Sequence, residues 1–430
     1  MTEQHNSLGV AIVGFGTVGR SVARIVCSSD RSSLRLTHIC NREIDRKRTE
    51  ADWVPSDVVW TDDIETVLSS DTDVVVELIG GIEPATDWIR RSLRAGKSVV
   101  TANKQVIAHH GPELTGVSAE QKVHLCFEAA VAGGIPIVHG VREGLAGDSL
   151  TRVLGILNGT CNYILTRMEA DKVTFSEALR EAKALGYAEA DPTADIDGFD
   201  AQAKIAILSA VAFGRQISVS DIPLQTIRTI ESVDFLYAER LGCTIRQVAR
   251  ADADSSVGDG VRVSVQPTLV PRTSALARVE GGRNVVVVEG EFGGESVFSG
   301  FGAGGDPTGV AVVSDLEAIA RGAGDMQSYR GVKTAAVVRD FVAPHYLRFV
   351  VTDRPGIIAT LAGVLSAHGV NINAVLQEPG WSKTQLPFVV TLEACESSTV
   401  EQILQESAAL DFNVRPPLWM PVMVLGERRQ

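Results

Sequence analysis

The chain has 430 residues, 45% of them apolar, 22% charged and 5% aromatic, a globular composition long enough for more than one core, and two or three domains are expected. Lys plus Arg total 40 against 53 Asp plus Glu, and the formal charge of -13 disfavours nucleic acid or an anionic membrane as main partner and favours a small molecule. No apolar run approaches the ~20 residues that span a bilayer, and the opening MTEQHNSLGV carries an acid where a signal peptide carries cations, so a cytoplasmic location is expected.

Buried-strand runs and helical patterns alternate at the start, at 10–13, 18–26, 34–40, 74–79 and 98–101. Runs such as VAIV and VVVELI lack the apolar/polar alternation of a half-exposed strand, which predicts a parallel sheet covered on both faces, a doubly wound α/β domain over residues 1–135. From 140 to 215 the pattern turns helical, with Thr174 as N-cap, Glu177 at the capping-box position and Gly186 as the stop. Two further helical stretches surround 224–250. Strands are expected at 261–269 and 284–288, before GFGAGGDPTG opens a helix at about 306–321, making 136–305 mixed α and β. Residues 322–345 read as a linker. A compact βαββαβ pattern then fills 346–430, with strands at 346–352, 370–376, 386–393 and a Pro-interrupted 414–424, and helices from Ile357 and at 399–410.

Six cysteines, Cys27, Cys40, Cys126, Cys161, Cys243 and Cys395, are scattered with no C-x-x-C pair, which fits reduced thiols better than zinc or a disulfide scaffold. Gly14, Gly16 and Gly19 form G-x-G-x-x-G between the first strand and a helix. In that context the first glycine allows the turn, the second admits pyrophosphate and the third lets helix and strand pack, as in a Rossmann-type dinucleotide site. An acid is expected about 20 residues on for the ribose of NAD, yet the second strand ends LTHICNRE. Arg42, followed by Arg46, Lys47 and Arg48, suits a 2'-phosphate, so NADP is expected to be accepted, while Glu43 keeps NAD open.

In GFDAQAKIAILSAVAF, Asp200, Lys204, Ile207 and Val211 fall on one helical stripe, which puts a carboxylate and an ammonium on the core-facing side. A solvated i, i+4 bridge belongs on the opposite face. Glu189, Asp191, Asp195 and Asp197 lie just upstream, a density of acids suited to a substrate ammonium; an EF-hand register on Gly198 would need Lys204 as its bidentate acid and is excluded. Lys104, in SVVTANK, follows a buried parallel strand, where open α/β sheets bind ligands. Two lysines converging on one pocket would depress each other's pKa toward the range useful for proton transfer to an alcohol. His109 and His110 are rival acid/base groups with no evident partner in the sequence.

GFGTVG at 14–19, VVVELIGG at 74–81, TANK at 101–104, EAAVAGGIPI at 128–137, GILNGTCNYIL at 155–165 and LGYAEADPTADIDGFDAQAK at 185–204 resemble the homoserine dehydrogenases, along essentially the whole chain. The resemblance implies NAD(P)-dependent interconversion of L-aspartate 4-semialdehyde and L-homoserine, in threonine, methionine and isoleucine biosynthesis. It implies Lys204 as acid/base with Asp200 and Lys104 beside it, Glu189, Asp200 and Asp195 as substrate ligands, and Asn158, Gly159 and Thr160 lining the pocket. It further implies cofactor contacts at Gly14, Phe15, Gly16, Thr17, Val18, Gly19, Arg42, Lys104, Gly186 and Gly302, and a monovalent cation, sodium, on Glu128, Val131, Gly133 and Ile135. Where the family more often has Pro, this chain has Phe301.

The 346–430 unit, with TDRPGIIATLAGVLSAHGVNINAV, resembles an ACT domain, which implies feedback by threonine, with Asp353, Gly356 and Asn371 as positions to test; a purely structural pairing module is the alternative. The resemblance makes 136–305 a catalytic and oligomerisation domain and implies a homo-oligomer, dimer or tetramer. Removing 346–430 is expected to leave the chemistry intact and to abolish the amino-acid response. The competing functions are an amino-acid sensor and another NAD(P)-dependent amino-acid semialdehyde oxidoreductase.

Overall fold

The computed structural model describes residues 7–28, 32–253, 255–322 and 332–424. The first six residues of the chain, part of the expected linker (323–331) and the tail 425–430 lie outside them. No helix among the described residues is long and apolar enough to cross a membrane.

The first unit is a six-stranded sheet in the order Val59–Thr61, Leu34–Cys40, Leu8–Val13, Val74–Glu77, Ser98–Thr101, Leu125–Cys126, parallel throughout. Strand order reverses between Leu8–Val13 and Val74–Glu77, which opens a crevice at their carboxyl ends, beside Gly14 and Leu78. The valine-rich runs are buried because helices cover both faces. The return helix forms at Gly305–Ala320 and lies on Thr17–Val26, with Ser21 Oγ donating to Asp306 Oδ1 at 2.7 Å and Ala311, Val312 and Leu316 in the same core as Val10 and Ile12.

The second unit is a mixed six-stranded sheet ordered Gly294–Phe301, Arg283–Gly290, Leu150–Ile156, Cys243–Asp252, Val261–Pro271, Val337–Val338. Cys243–Asp252 corrects the helical reading around 224–250. Thr244, Ile245 and Val248 favour a strand, and both faces are buried, so no alternation marks it; Arg246 is carried inside by pairing with Glu169 at 3.0 Å. Only Ser232–Arg240 is α-helical there. Leu150–Ile156 likewise interrupts the stretch read as helical from 140, and Gly294–Phe301, an edge strand paired to Arg283–Gly290, was not anticipated. Helix Phe199–Phe213 joins the two units: Ala203, Ile205 and Ile207 share one core with Val106, Ile107 and Leu114 of helix Lys104–Gln121 and with Val153 and Val263 of the mixed sheet.

The C-terminal unit is the expected βαββαβ, an antiparallel sheet ordered Ile372–Gln377, Leu386–Glu396, Val342–Val351, Leu418–Pro421 with helices Ile357–Ala367 and Ser397–Ala408 on one face. Its first strand starts at Val342, inside the expected linker, and the described remainder of that linker is stitched to the middle unit: Lys333–Thr334 pairs with Arg215–Gln216, and Val337–Val338 with Val261–Pro271. The sheet's other face is not solvated. Tyr346, Val389, Leu418 and Met420 complete one buried cluster with Ile164, Leu165, Tyr237 and Ile245 of the middle unit.

Candidate active site

The glycine turn fits the three tasks read from its spacing. Gly14 has φ +103°, and a side-chain carbon there would lie 2.7 Å from the Leu78 carbonyl oxygen; one on Gly19 would run into the Gly14 carbonyl; one on Gly16 meets nothing within 4 Å. Gly16 therefore faces open space at the N-terminus of Thr17–Val26, whose first turn has no side-chain cap, an arrangement suited to a phosphate. The Phe15 amide donates to Asn41 Oδ1 at 3.1 Å, which ties the turn to the end of the second strand. Arg42 follows, exposed, while Glu43 is engaged by Arg46 in an ion pair.

Across the crevice, Glu77 ends its strand with 1% exposure, a residue the sequence reading passed over inside VVVELI. It accepts from Thr101 Oγ1 at 2.6 Å and the Ile79 amide at 2.8 Å, and burial raises its pKa despite those bonds. Thr101 Oγ1 accepts from the Asn103 amide at 2.9 Å; Asn103 in turn caps Lys104–Gln121, accepting from the Val106 amide at 3.2 Å. That chain of bonds fixes where Lys104 leaves the sheet. A charged residue interrupting a buried strand run was the available signal.

Lys104, Asp200 and Lys204 converge as the stripe predicts. Lys204 Nζ donates to Asp200 Oδ2 and to the Leu157 carbonyl, both at 2.7 Å, and Lys104 Nζ lies 3.0 Å from Asp200 Oδ1. Asn158 caps helix Gly159–Asp171 through its oxygen, and its Nδ2 donates to Asp195 Oδ1 at 2.7 Å and Asp200 Oδ2 at 2.9 Å. Thr160 Oγ1 donates to the Tyr187 carbonyl at 2.6 Å, which draws the loop after Gly186 against the helix start at Gly159. Burial pushes the Asp200 acid up, but the Lys204 and Lys104 ammonium groups outweigh it and hold the carboxylate well below its usual range. The expected mutual depression of the lysines is corrected at Lys104: Asp200 stands between the amines, and its charge raises the Lys104 pKa against the effect of burial. Burial leaves Asp195 raised.

The other acids separate. Glu189 is exposed at the edge of the site and adds to the field that raises Lys104. Asp191 accepts from the Thr193 amide, and Asp197 turns toward Thr226 and Arg228. His110 lies 3.7 Å from Glu113, and His109 lines a different cavity, of about 490 Å³, with Gln105, Phe199 and Gln202.

Glu128 is buried beneath the loop that links the first two units, its oxygens accepting from the Val138 and His139 amides at 2.9 and 2.7 Å. Burial, with the charge of Asp315, pushes its pKa up to about 7, against the opposing effect of the His139 imidazole 3.6 Å away. The loop above is tightly coiled, with Ala132 and Gly133 at φ +54° and +51°; a side-chain carbon on Gly133 would lie 2.6 Å from the Gly302 carbonyl carbon. Among the described residues no three His, Cys, Asp or Glu side chains gather as a metal site. The carboxylates of Glu128 and Asp315 meet here on either side of His139, whose Nε2 lies 3.6 Å from one and 2.8 Å from the other, and oxygen donors of this kind suit a hard cation rather than a transition metal. Phe301 stands exposed with the Arg283 guanidinium 5.3 Å over its ring, so the departure from Pro is absorbed at the surface.

Comparison with known proteins accounts for all three units. The sequence model of the homoserine dehydrogenase family matches residues 136–316, that of the homoserine dehydrogenase NAD binding domain matches 14–128, and that of the ACT domain matches 345–411. Homoserine dehydrogenase of Mycobacterium tuberculosis is 40% identical over 391 residues, 88% of either chain, and that of Bacillus subtilis 36% over 397 residues, 89% of this chain and 90% of the relative. Among solved structures, a homoserine dehydrogenase from Thiobacillus denitrificans superposes with a TM-score of 0.90 at 32% identity, covering 98% of this chain and 99% of that one. A hyperthermophilic archaeal homoserine dehydrogenase in complex with NADPH reaches 0.63 at 27% identity over 75% of this chain and all of that one. The chain belongs to the homoserine dehydrogenase family of nicotinamide-dependent oxidoreductases and carries an ACT domain after its catalytic unit.

Proposed function

We propose that the Lys104–Asp200–Lys204 cluster carries the interconversion of L-aspartate 4-semialdehyde and L-homoserine, with Lys204 as the acid/base. The observation that supports this is one buried carboxylate bridging two ammonium groups at 2.7 and 3.0 Å. An ammonium has three donors; Leu157 and Asp200 take two at Lys204, which leaves the third for the oxygen that becomes the alcohol. Asp200 holds the amine in place, Lys104 balances the carboxylate, and Asp195 with Glu189 offers negative charge to the substrate ammonium. The reduced nicotinamide supplies the hydride when bound. The test follows nicotinamide absorbance with L-homoserine and with shorter and longer hydroxy amino acids; equal turnover of the homologues would overturn the substrate assignment.

NADP is the proposed preferred form, supported by exposed Arg42 beside the glycine turn and by the pairing of Glu43 with Arg46. Arg42→Ala should then raise KM for NADP and spare NAD; an equal effect on both counts against it. A sodium ion on Glu128 and the carbonyls of Val131, Gly133 and Ile135 is supported by the raised Glu128 acid, which a cation would return to its ionised form. Sodium should raise the melting temperature of the parent and not of Glu128→Gln. Threonine feedback through Asp353, Gly356 and Asn371 rests on the ACT domain, and unchanged rates across a threonine titration would remove it. The homo-oligomer is tested by light scattering, where a monomer would count against it.

A further inference from the structure

The acids of the active site have a support that comes from the C-terminal unit. The irregular segment 222–231 passes beside the turn that carries Asp195: the Ile227 amide donates to the Ile196 carbonyl at 3.2 Å, Thr226 Oγ1 donates to Asp197 Oδ1 at 2.7 Å, and Arg228 Nε donates to the same oxygen at 3.0 Å. The far end of the segment is gripped by Arg348 of strand Val342–Val351. That side chain is 4% exposed; its Nη2 donates to the Thr229 carbonyl at 2.9 Å, its Nε lies 2.8 Å from Asp234 Oδ1 and its Nη1 3.1 Å from Glu231 Oε2. Tyr346, one turn of the strand pleat away, donates its hydroxyl to Asp234 Oδ1 at 2.7 Å.

A buried guanidinium is retained where counter-charges compensate it, and its one hydrogen-bond acceptor, the Thr229 carbonyl, and its two carboxylate partners, Glu231 and Asp234, all belong to the segment and to the start of helix Ser232–Arg240. We propose that Arg348 is a positioning residue for the substrate site: by fixing 226–231 it fixes Asp197, and through that turn it sets how Asp195 meets Asn158 and Asp200. Arg348 touches neither substrate nor cofactor. The inference rests on the substrate role given above to Asp195 and Asp200, and it assigns the ACT domain a mechanical duty in the absence of any effector.

Because Arg348→Met alone leaves Asp234 buried and unpaired, the test in the full-length chain pairs it with Asp234→Asn, which removes both charges. KM for homoserine should rise about tenfold while kcat and the cofactor KM change far less. Asp197→Asn, at the other end of the route and outside the domain contact, should give the same split, and combining it with the pair should add little. Unchanged homoserine KM in Asp197→Asn, or parallel losses of kcat and both KM values that track the melting temperature of the double variant, overturns the inference. Asp195→Asn separates the two readings: a raised KM there beside an unchanged Asp197→Asn sinks the positioning role alone, whereas an unchanged KM in Asp195→Asn sinks the substrate reading with it.

Discussion

Lys204→Ala is the sharpest probe of the proposed chemistry, because the surroundings of the amine limit what else the change can do. Two donors of the ammonium are committed at 2.7 Å to Leu157 and Asp200, so the variant removes one proton donor from the substrate side and two bonds from the wall behind it. Asp200 keeps Lys104 at 3.0 Å and Asn158 at 2.9 Å, so its charge stays compensated and the substrate acids keep their places. Loss of a positioned acid lowers turnover about 10²–10⁴-fold, which is about 3–5 kcal/mol of barrier. The emptied wall costs about 1–3 kcal/mol of stability through the unsatisfied Leu157 carbonyl. Saturating rates of nicotinamide reduction with homoserine read the first number, thermal denaturation the second, and cofactor fluorescence should show binding retained. Lys204→Arg isolates the proton: it keeps the charge over Asp200 and gives it up too reluctantly to act as a base, so stability should recover and turnover should not. A turnover within about tenfold of the parent in a cofactor-bound Lys204→Ala would refute the assignment.

Gly19→Ala should lose about 1–3 kcal/mol of stability because the new carbon meets the Gly14 carbonyl, whereas Gly16→Ala, with open space around it, should melt like the parent and lose cofactor; calorimetry and cofactor titration read the contrast, and equal melting points for the two variants would contradict it. The core shared with the middle unit reverses the expectation that the chemistry survives removal of 346–430: truncation before Val342 should not leave a working enzyme. Tyr346, Val389, Leu418 and Met420 each contribute about 1.5–3 kcal/mol by burial, together comparable to a whole domain's stability of about 5–15 kcal/mol, so a soluble 1–341 fragment with the parent's melting temperature would show the shared core to be unimportant. His345 is neutral in the fold, Nδ1 accepting from Trp419 Nε1 at 2.9 Å and Nε2 facing the Cys395 carbonyl at 3.1 Å, and burial holds its pKa below 6.5. Its contribution should be complete above about pH 6.5 and lost as the pH falls through the depressed value; a denaturation series in which His345→Gln keeps the same acid slope would dismiss it.

The parts legible in the sequence are those where one local requirement overrides all others. Gly14 and Gly19 are spaced by a turn that admits no side-chain carbon, and the helix that follows them had to form. Asp200 and Lys204 betrayed themselves by standing on the apolar stripe of an otherwise alanine- and isoleucine-rich helix, and the structure buries both. Cys243–Asp252 failed for the opposite reason. Covered on both faces, it has no period to read, and its arginines look like a helix surface until Glu169, more than seventy residues earlier, is known to meet Arg246. Lys104 shows the same limit within the site. Its place was visible after a buried strand, but the direction of its pKa was not, because that depends on Asp200 lying between the two amines rather than beside one of them. The C-terminal unit carries the lesson furthest: its strand and helix pattern announced a self-contained βαββαβ, since a sheet with helices on one face reads identically whether the other face meets solvent or a neighbour. Tyr346 and Arg348 sit on that hidden face, and only Asp234, on a helix whose own sequence gives no hint of a partner, makes them a joint instead of an exposed tyrosine and arginine. A domain joined through buried charge cannot shift without disturbing what those charges hold, so the 222–231 segment is one route by which movement of the ACT domain would reach Asp197 and the acids of the active site, beside the apolar contacts of Leu418 and Met420 with the middle unit.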